Sequence, residues 1–536
     1  MDTTKEKTEL ALTDHGDATL ESSSKVVGEN ARLATEAEHN LTFWQAVKIY
    51  RKAVAWSIIV SMATIMESYD IQIIGSFYAY PTFQKKYGEQ LSNGKYSIAA
   101  PWQVGLTAGA NIGVMIGIFA NGILVDRFGH KKLLLASYAL MTAFIFITFF
   151  APNIEVLFVG EVLCGLPWGF FGILAPSYAA EVCPTILRGY LTTYVNLCWV
   201  IGHIIAAGVL NGLISNPTEW SYRIPFAIQW VWPVPLFFIL WFAPDSPWWL
   251  VRQGRFKDAK HALSRLSEFN DNGVQVKQNL DMIIYTNNHE KEVSAGSSYL
   301  DCFKGSDFRR TEIACLAWTT QVFSGFAIQA YITYFFTLAG LSPGDSYKLA
   351  LGTYSIAFVG TAISWFLQAY IGRRKIFLCG LMVMTVIMWI VGFLALAPTT
   401  KAIQWAQCVL LLVWFGTYGL SVGPIPFVIA SEISSSRLRS KTLGLARNSC
   451  YIMVIVSAVV APYMLNPKQG NLKGIAAFPA AVMSLFCLVW AYFRLPETKG
   501  RTYMELDILF ESKVSARKFQ GYVINTLDVN EEAGLG

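Results

Sequence analysis

Residues 63–77 read ATIMESYDIQIIGSF, a run apolar enough to sit in lipid that nonetheless carries two carboxylates, Glu67 and Asp70, three positions apart. Three residues advance about 300° around a helix, so both acids share one face. An ionised Asp at a bilayer centre costs roughly 2.5–3.5 kcal/mol on insertion scales, and intramembrane acids therefore face water-filled cavities and mark ion or substrate paths. The stretch reads as the lining of a transport route.

The rest of the chain agrees. Of its 536 residues 54% are hydrophobic and 15% charged, against about 25% charged in an ordinary soluble domain. A helical span needs about 20 mostly apolar residues. Twelve such runs fall near 53–78, 102–124, 131–151, 154–178, 190–214, 224–243, 313–339, 347–370, 375–397, 402–430, 441–465 and 474–494. The lipid bilayer is thus an obligatory partner. The net charge of +6 is scattered through short loops, which excludes the concentrated basic surface of a nucleic-acid binder. Arg127, Lys131 and Lys132 follow the second run, Arg373, Arg374 and Lys375 the eighth, and Arg437, Arg439 and Lys441 the tenth. Under the positive-inside rule these loops and both termini are cytoplasmic. Residues 1–45 hold no apolar core near the start, so no cleavable signal peptide is expected.

None of the nine cysteines has CxxC spacing, so neither a disulfide framework nor a metal site is expected. The chain also lacks a phosphate-binding G-x-x-x-x-G-K-[ST] loop, an H-E-x-x-H motif and a nucleophile set, and is read as a non-enzyme.

Between Phe242 and Thr311 hydrophobicity collapses into a charged segment containing GRFKDAKHALSRL and QVKQNLDMI, which predicts short amphipathic helices between two halves. The expected organisation is a tail at 1–50, a six-helix half at 51–243, a linker at 244–312, a second half at 313–494 and a tail at 495–536. An internal repeat supports the division. Glu432 follows Glu181 by 251 positions, as Arg439 follows Arg188 and Gly423 follows Gly172. The fold class is therefore an all-α membrane protein of twelve transmembrane helices in two six-helix pseudo-symmetric halves, the major facilitator arrangement, with its substrate site near the midplane between them.

The loop after the second run, Gly122-Ile-Leu-Val-Asp126-Arg127-Phe-Gly129-His130-Lys131-Lys132, resembles the G-x-x-x-D-R-x-G-R-K signature of that superfamily. Its counterpart, Gln368 to Lys375, keeps Gly372 and the bases but has Ala369 in place of the Asp. Pro244-Asp-Ser-Pro247 and Pro496-Glu-Thr-Lys-Gly500 resemble the P-E-S-P-R and P-E-T-K-G strings of the sugar porters, in order and at the corresponding loops. The strings MESYD, FYAYPTFQKKYG, LRGYLTTYVNLCWVIG, YITYFFTLAGL and LGLARNSCY bring the resemblance closer to the fungal maltose and α-glucoside permeases.

That resemblance implies roles. Glu161 stands where monosaccharide porters carry an Arg that pairs with the acid matching Asp70. Helical rise places Asp70 about 25 Å from the cytoplasmic end and Glu161 about 12 Å below the outer surface, so that Glu67, Asp70 and Glu161 form one proton-coupling group at similar depth. A co-transported proton is the only cofactor expected. Val114 departs from the permeases, which tend to have an acid at that place in the second run. Sugar recognition needs amides for hydroxyls and aromatic faces for rings. The candidates are Asn196, His203, Gln321, Gln329, Tyr331, Tyr334, Phe427, Arg447 and Asn448. Asn196, His203 and Gln321 match sugar-porter Gln positions, Phe427 stands for a Trp, and Arg447 matches an Arg associated with the disaccharide site. Each amide also reads as an interhelical hydrogen bond. Asp126, Arg127, Glu181, Arg188, Arg373, Glu432 and Arg439 form an expected cytoplasmic gate, and Gly423-Pro424-Ile-Pro426 a break in the tenth helix.

The function these features imply is proton-coupled uptake of a disaccharide of the maltose or α-glucoside type by alternating access. The setting is the plasma membrane, and a single chain suffices. The alternative is a transporter-like sensor for a disaccharide such as lactose or cellobiose with weak or uncoupled transport.

Overall fold

In this computed structural model the described residues are 41–522 and a few of 29–37, except 91–93, 269–272, 295–297, 399, 436–437, 467–468, 500 and 502. The side chains of Arg188 and Arg439, and Arg437 altogether, lie outside the described residues.

Eleven helices are long and apolar enough to cross a membrane. In the first half these are the first span Arg51–Phe77, the second Ala100–Phe128, the third His130–Phe149, the fourth Ile154–Val182, the fifth Tyr194–Leu213 and the sixth Trp220–Leu240. In the second half they are the eighth Pro343–Gln368, the ninth Arg373–Leu394, the tenth Lys401–Ile433, the eleventh Lys441–Leu465 and the twelfth Lys473–Arg494. The seventh completes the set in three pieces, Gly305–Phe323, Phe326–Gln329 and Ile332–Leu338. Its helix begins at Gly305, before the expected 313, because its first two turns are polar and invisible to hydropathy. It breaks beside Gly325, where Phe326 takes a left-handed φ of 24° that L side chains rarely adopt.

Discontinuities mark the innermost helices. The first span bends at Met62 between Arg51–Ser61 and Ala63–Phe77, where the Ser61 and Thr64 hydroxyls donate back to the carbonyls of Ser57 and Ser61. The tenth divides into Lys401–Leu420 and Ile425–Ile433, since Pro424 and Pro426 supply no N–H to the preceding turn. In the sixth, Pro233 leaves the Gln229 carbonyl without its usual donor, and a 3-10 turn over Gln229–Val231 results.

Small residues set the closest helix pair in each half. A Cβ on Gly113 would lie 3.1 Å from the Gly165 Cα, and one on Gly117 would lie 3.1 Å from that of Gly169, so the second and fourth spans meet backbone to backbone. In the second half, Gly360 faces the Gly416 carbonyl and Gly419 that of Ala357, so the eighth and tenth spans pack the same way. Val114 is buried within the first of these seams.

Two features depart from the expected all-α core with polar tails, while the linker carries helices as the sequence predicts. The loop after the first span forms a two-residue antiparallel ladder, Glu89–Gln90 with Tyr96–Ser97. The linker carries Pro247–Arg252, Phe256–Leu266 and Val274–Ser294. Beyond the twelfth span, Tyr503–Glu511 and Ala516–Gly521 fold back, burying Leu506, Leu509, Phe510 and Phe519 in the main core.

The halves meet at the end away from the linker. Tyr347 donates to the Ser76 carbonyl at 2.5 Å, the Ser76 and Thr333 hydroxyls are 3.3 Å apart, and the Tyr78 and Tyr331 rings stack at 5.9 Å. Asn466 closes the same end by donating to the Ile98 carbonyl at 3.2 Å.

Candidate functional site

Three helices bring the intramembrane charges together. Glu67 and Asp70 stand on the first span, Glu161 on the fourth and Arg447 on the eleventh, and all three acids are at most 2% exposed. They do not form one group, as the sequence had implied. Asp70 and Glu161 face one another as a carboxyl pair, and Gln229 donates its amide to Asp70. The second Asp70 oxygen and both Glu161 oxygens have no donor among the described residues. Glu67 instead faces the guanidinium of Arg447 across the divide between the halves. Gly172 makes that approach possible: a Cβ there would stand 2.7 Å from an Arg447 nitrogen and 3.5–3.6 Å from the Glu67 oxygens. Helical spacing could place the acids on faces and at depths, but it could not say which of them Arg447 would reach.

Arg447 is held by aromatic faces. Its guanidinium carbon lies 5.8 Å from the ring centroids of both Trp318 and Tyr451, and Trp318 packs on Phe427 at 4.3 Å. Asn448, beside Arg447, keeps a buried side-chain oxygen without a partner among the described residues. Gln321 donates at 2.6 Å to the Gly423 carbonyl, which the break in the tenth helix had orphaned. Its amide is thus anchored on one side, the interhelical use that the sequence had left open. Gln329 is half-buried next to the Gly325 break.

Asn196 and His203 project from the fifth span. Asn196 is half-buried, and His203 stacks on Tyr354 at 5.0 Å with 15° between the planes. Tyr354 in turn donates to Gln72 at 2.6 Å, which ties a fifth-span candidate to the first and eighth spans. Tyr331 and Tyr334 are 1% and 4% exposed, with hydroxyls unpaired among the described residues. Tyr331 belongs to the closed end, where its ring stacks on Tyr78.

The gate residues divide between the halves in matching fashion. Glu181 accepts from Ser246 and from Arg252 at 2.7 Å, with the His130 ring nitrogen 3.7 Å away. Glu432 accepts from Arg373 at 3.1 Å and from Thr498. Asp245 accepts the Lys131 backbone N–H at 3.2 Å, and Glu497 that of Arg373 at 2.8 Å. The PDS and PET strings thus do the same work in each half: the acid holds the start of a span and the hydroxyl holds the gate glutamate. The Arg188 and Arg439 that equal spacing had singled out have side chains outside the described residues. Asp126 and Arg127 are exposed. The Asp126 carbonyl, rather than its carboxylate, receives Trp249 at 3.0 Å and Gln253 at 2.8 Å, and Arg127 lies over Phe128 at 5.4 Å.

Sequence reading missed Gln229, Trp318, Tyr451 and the Gln72–Tyr354 pair. Gln229 carried a signal, an amide in an otherwise apolar run ahead of Pro233. Tyr451 follows Arg447 by one helical turn, the spacing at which a ring covers a cation. Trp318 and Tyr354 carried none, because nothing local separates a cavity aromatic from a core one.

Twelve helices in two pseudo-symmetric halves, with buried acids, an arginine, amides and aromatic faces between them, define a membrane carrier of the major facilitator fold. The chain belongs to the family described as "Sugar (and other) transporter", whose sequence model matches residues 56–510. Among its relatives in Saccharomyces cerevisiae, maltose permease MAL31 is 40% identical over 498 residues, covering 92% of this chain and 81% of the relative. Alpha-glucosides permease MPH3 is 40% identical over 499 residues, covering 92% and 83%. In fold the chain matches the proton:xylose symporter XylE bound to 6-bromo-6-deoxy-D-glucose, with a TM-score of 0.70 and 20% identity over 86% of this chain and 99% of that one.

Proposed function

We propose that this protein is a plasma-membrane symporter that takes up an α-glucoside disaccharide of the maltose type together with a proton, with its linker and termini in the cytoplasm. The observation that carries the coupling is the Asp70–Glu161 pair, two carboxyls facing one another with one amide donor and no cation. Two unit charges about 4 Å apart repel by ~4 kcal/mol at an effective dielectric of 20. Paired carboxylates therefore share a proton rather than both ionise. One proton between Asp70 and Glu161 gives the empty oxygens a donor, and water entering the cavity supplies the exit. Glu67 has Arg447 opposite it, so the pair without a counter-charge is the better proton carrier.

The sugar sits beside that pair. Asn448, Asn196 and the free face of Gln321 supply groups for hydroxyls, and Trp318 with Phe427 supplies a stacking surface. The choice of sugar rests on the yeast permeases, which are named for maltose and α-glucosides. Because Glu67 and Arg447 belong to opposite halves, a ligand between them engages both halves at once, which is what alternating access requires.

The test is uptake of labelled maltose in cells lacking their own permeases, with the external pH recorded. Uptake accompanied by alkalinisation is expected. Uptake at constant external pH overturns the symport assignment, and absence of uptake for every α-glucoside overturns the substrate assignment.

A further inference from the structure

A cavity of about 360 Å³ opens where the seventh span begins and the twelfth ends, roofed by the returning C-terminal segment. Its lining includes Arg309, Arg494 and Lys513, two serines, Ser306 and Ser515, and no acid. Two nearby acids are already engaged. Glu312 takes the Arg494 guanidinium and the Trp490 indole, and Asp307 lies 3.7 Å from Arg310.

Arg309 forms no ion pair among the described residues. It donates to the Val514 carbonyl at 2.7 Å, lies 5.2 and 5.6 Å from the rings of Phe510 and Phe519, and keeps a buried Nε without an acceptor among the described residues. Arg494 is near enough to repel it and Glu312 near enough to attract it, the repulsion being the larger effect. A further cation, Arg517, lies over Tyr492 and Phe493 at 5.8 and 5.6 Å. The helix Gly305–Phe323 starts at the same place, adding unbonded N–H groups to the positive field. Such a cluster has a surplus of charge-assisted donors in the geometry that suits phosphate oxygens.

The surroundings select the source of the phosphate. Phe493 lines the cavity and is 55% exposed, and Val489 and Phe486, one and two turns back on the twelfth span, are 51% and 59% exposed. This apolar strip leads from the basic cavity along the lipid-facing surface, so headgroup and acyl chains each have a place. Basic pockets at the ends of transmembrane helices hold lipid headgroups for the same reason.

We infer that this cavity binds the phosphate headgroup of an anionic phospholipid, with the acyl chains along Phe486, Val489 and Phe493. The lipid would also pin the C-terminal segment, because Arg309 joins the cavity to Val514.

Native mass spectrometry of the full-length protein in detergent, titrated with phosphatidylserine or phosphatidylcholine, tests the site. Phosphatidylserine should bind about tenfold more tightly than phosphatidylcholine, and the Ser306→Glu/Lys513→Glu variant should lose that preference. Ser306 and Lys513 form no ion pair among the described residues, so the variant should keep its melting temperature in lipid-free detergent. Should it unfold, Lys513→Gln, which only removes a charge, is expected to weaken phosphatidylserine selectively. Equal binding of the two lipids, or an unchanged preference in a folded variant, overturns the site. Displacement of phosphatidylserine by an equal concentration of inorganic phosphate overturns the lipid assignment.

Discussion

At the residue scale, the structure distributes one arginine and three acids unequally. Arg447 is opposite Glu67, and Asp70 and Glu161 have only each other and Gln229. Asp70→Asn should therefore reduce the maltose accumulation ratio to about 1, since a carrier without a coupled ion only equilibrates its substrate, while counterflow of labelled sugar persists. Accumulation at the parental level would exclude Asp70 from coupling. Gln229→Leu removes the single donor to the pair and should shift the pH dependence of uptake while sugar exchange survives; an unmoved pH profile would show that Gln229 serves packing alone. The acids themselves were legible in the sequence because carboxylates in an apolar run have few structural uses. Their pairing was not, because it depends on the small size of Gly172, on the same helix as Glu161, and on the reach of Arg447 from the other half. Glu161 in place of a cation was a departure that sequence alone could notice, and it is the residue that leaves Asp70 without a counter-charge.

At the element scale, the informative positions are those where helices break or touch. Hydropathy located eleven spans to within a few residues, yet it misplaced the start of the seventh by eight, because Ser306–Glu312 is polar. The tenth-helix break was readable from Pro424 and Pro426, but its consequence was not: the freed Gly423 carbonyl captures Gln321 and turns a candidate sugar ligand partly into a strut. Gly113, Gly117, Gly165 and Gly169 let the second and fourth spans touch backbone to backbone, which fixes Glu161 against the first span. Gly165→Val would drive a branched side chain into the Ala110 carbonyl. A cost of about 1–3 kcal/mol is expected from such overpacking, read as a lower melting temperature of the purified protein and loss of uptake. Gly208→Val, at a glycine with open space beside it, is the matched control and should leave both nearly unchanged.

At the scale of the whole molecule, the two halves are alike in construction and unlike in contact. Ser246 with Glu181 and Thr498 with Glu432 repeat one another, as do Asp245 and Glu497 at the starts of the third and ninth spans. At the linker end each of these hydrogen bonds stays on its own side of the divide. The halves are joined at the opposite end by Tyr347 on Ser76, Ser76 on Thr333 and Tyr78 on Tyr331. A carrier that exposes its cavity to each side in turn has to break that second set of contacts once per cycle. The Ser76 and Thr333 hydroxyls, 3.3 Å apart, allow this to be tested directly. In a Ser76→Cys/Thr333→Cys variant, mild oxidation should join the first and seventh spans, abolish maltose uptake, and leave uptake recoverable with dithiothreitol. Eight of the nine native cysteines are buried or half-buried and Cys379 is exposed, so a Cys379→Ser background keeps the new pair from competing with an accessible thiol. Each single cysteine variant should transport normally under the same oxidation. A cross-linked protein that still carries sugar at the parental rate would mean that this end never opens, and alternating access would have to be abandoned for this chain.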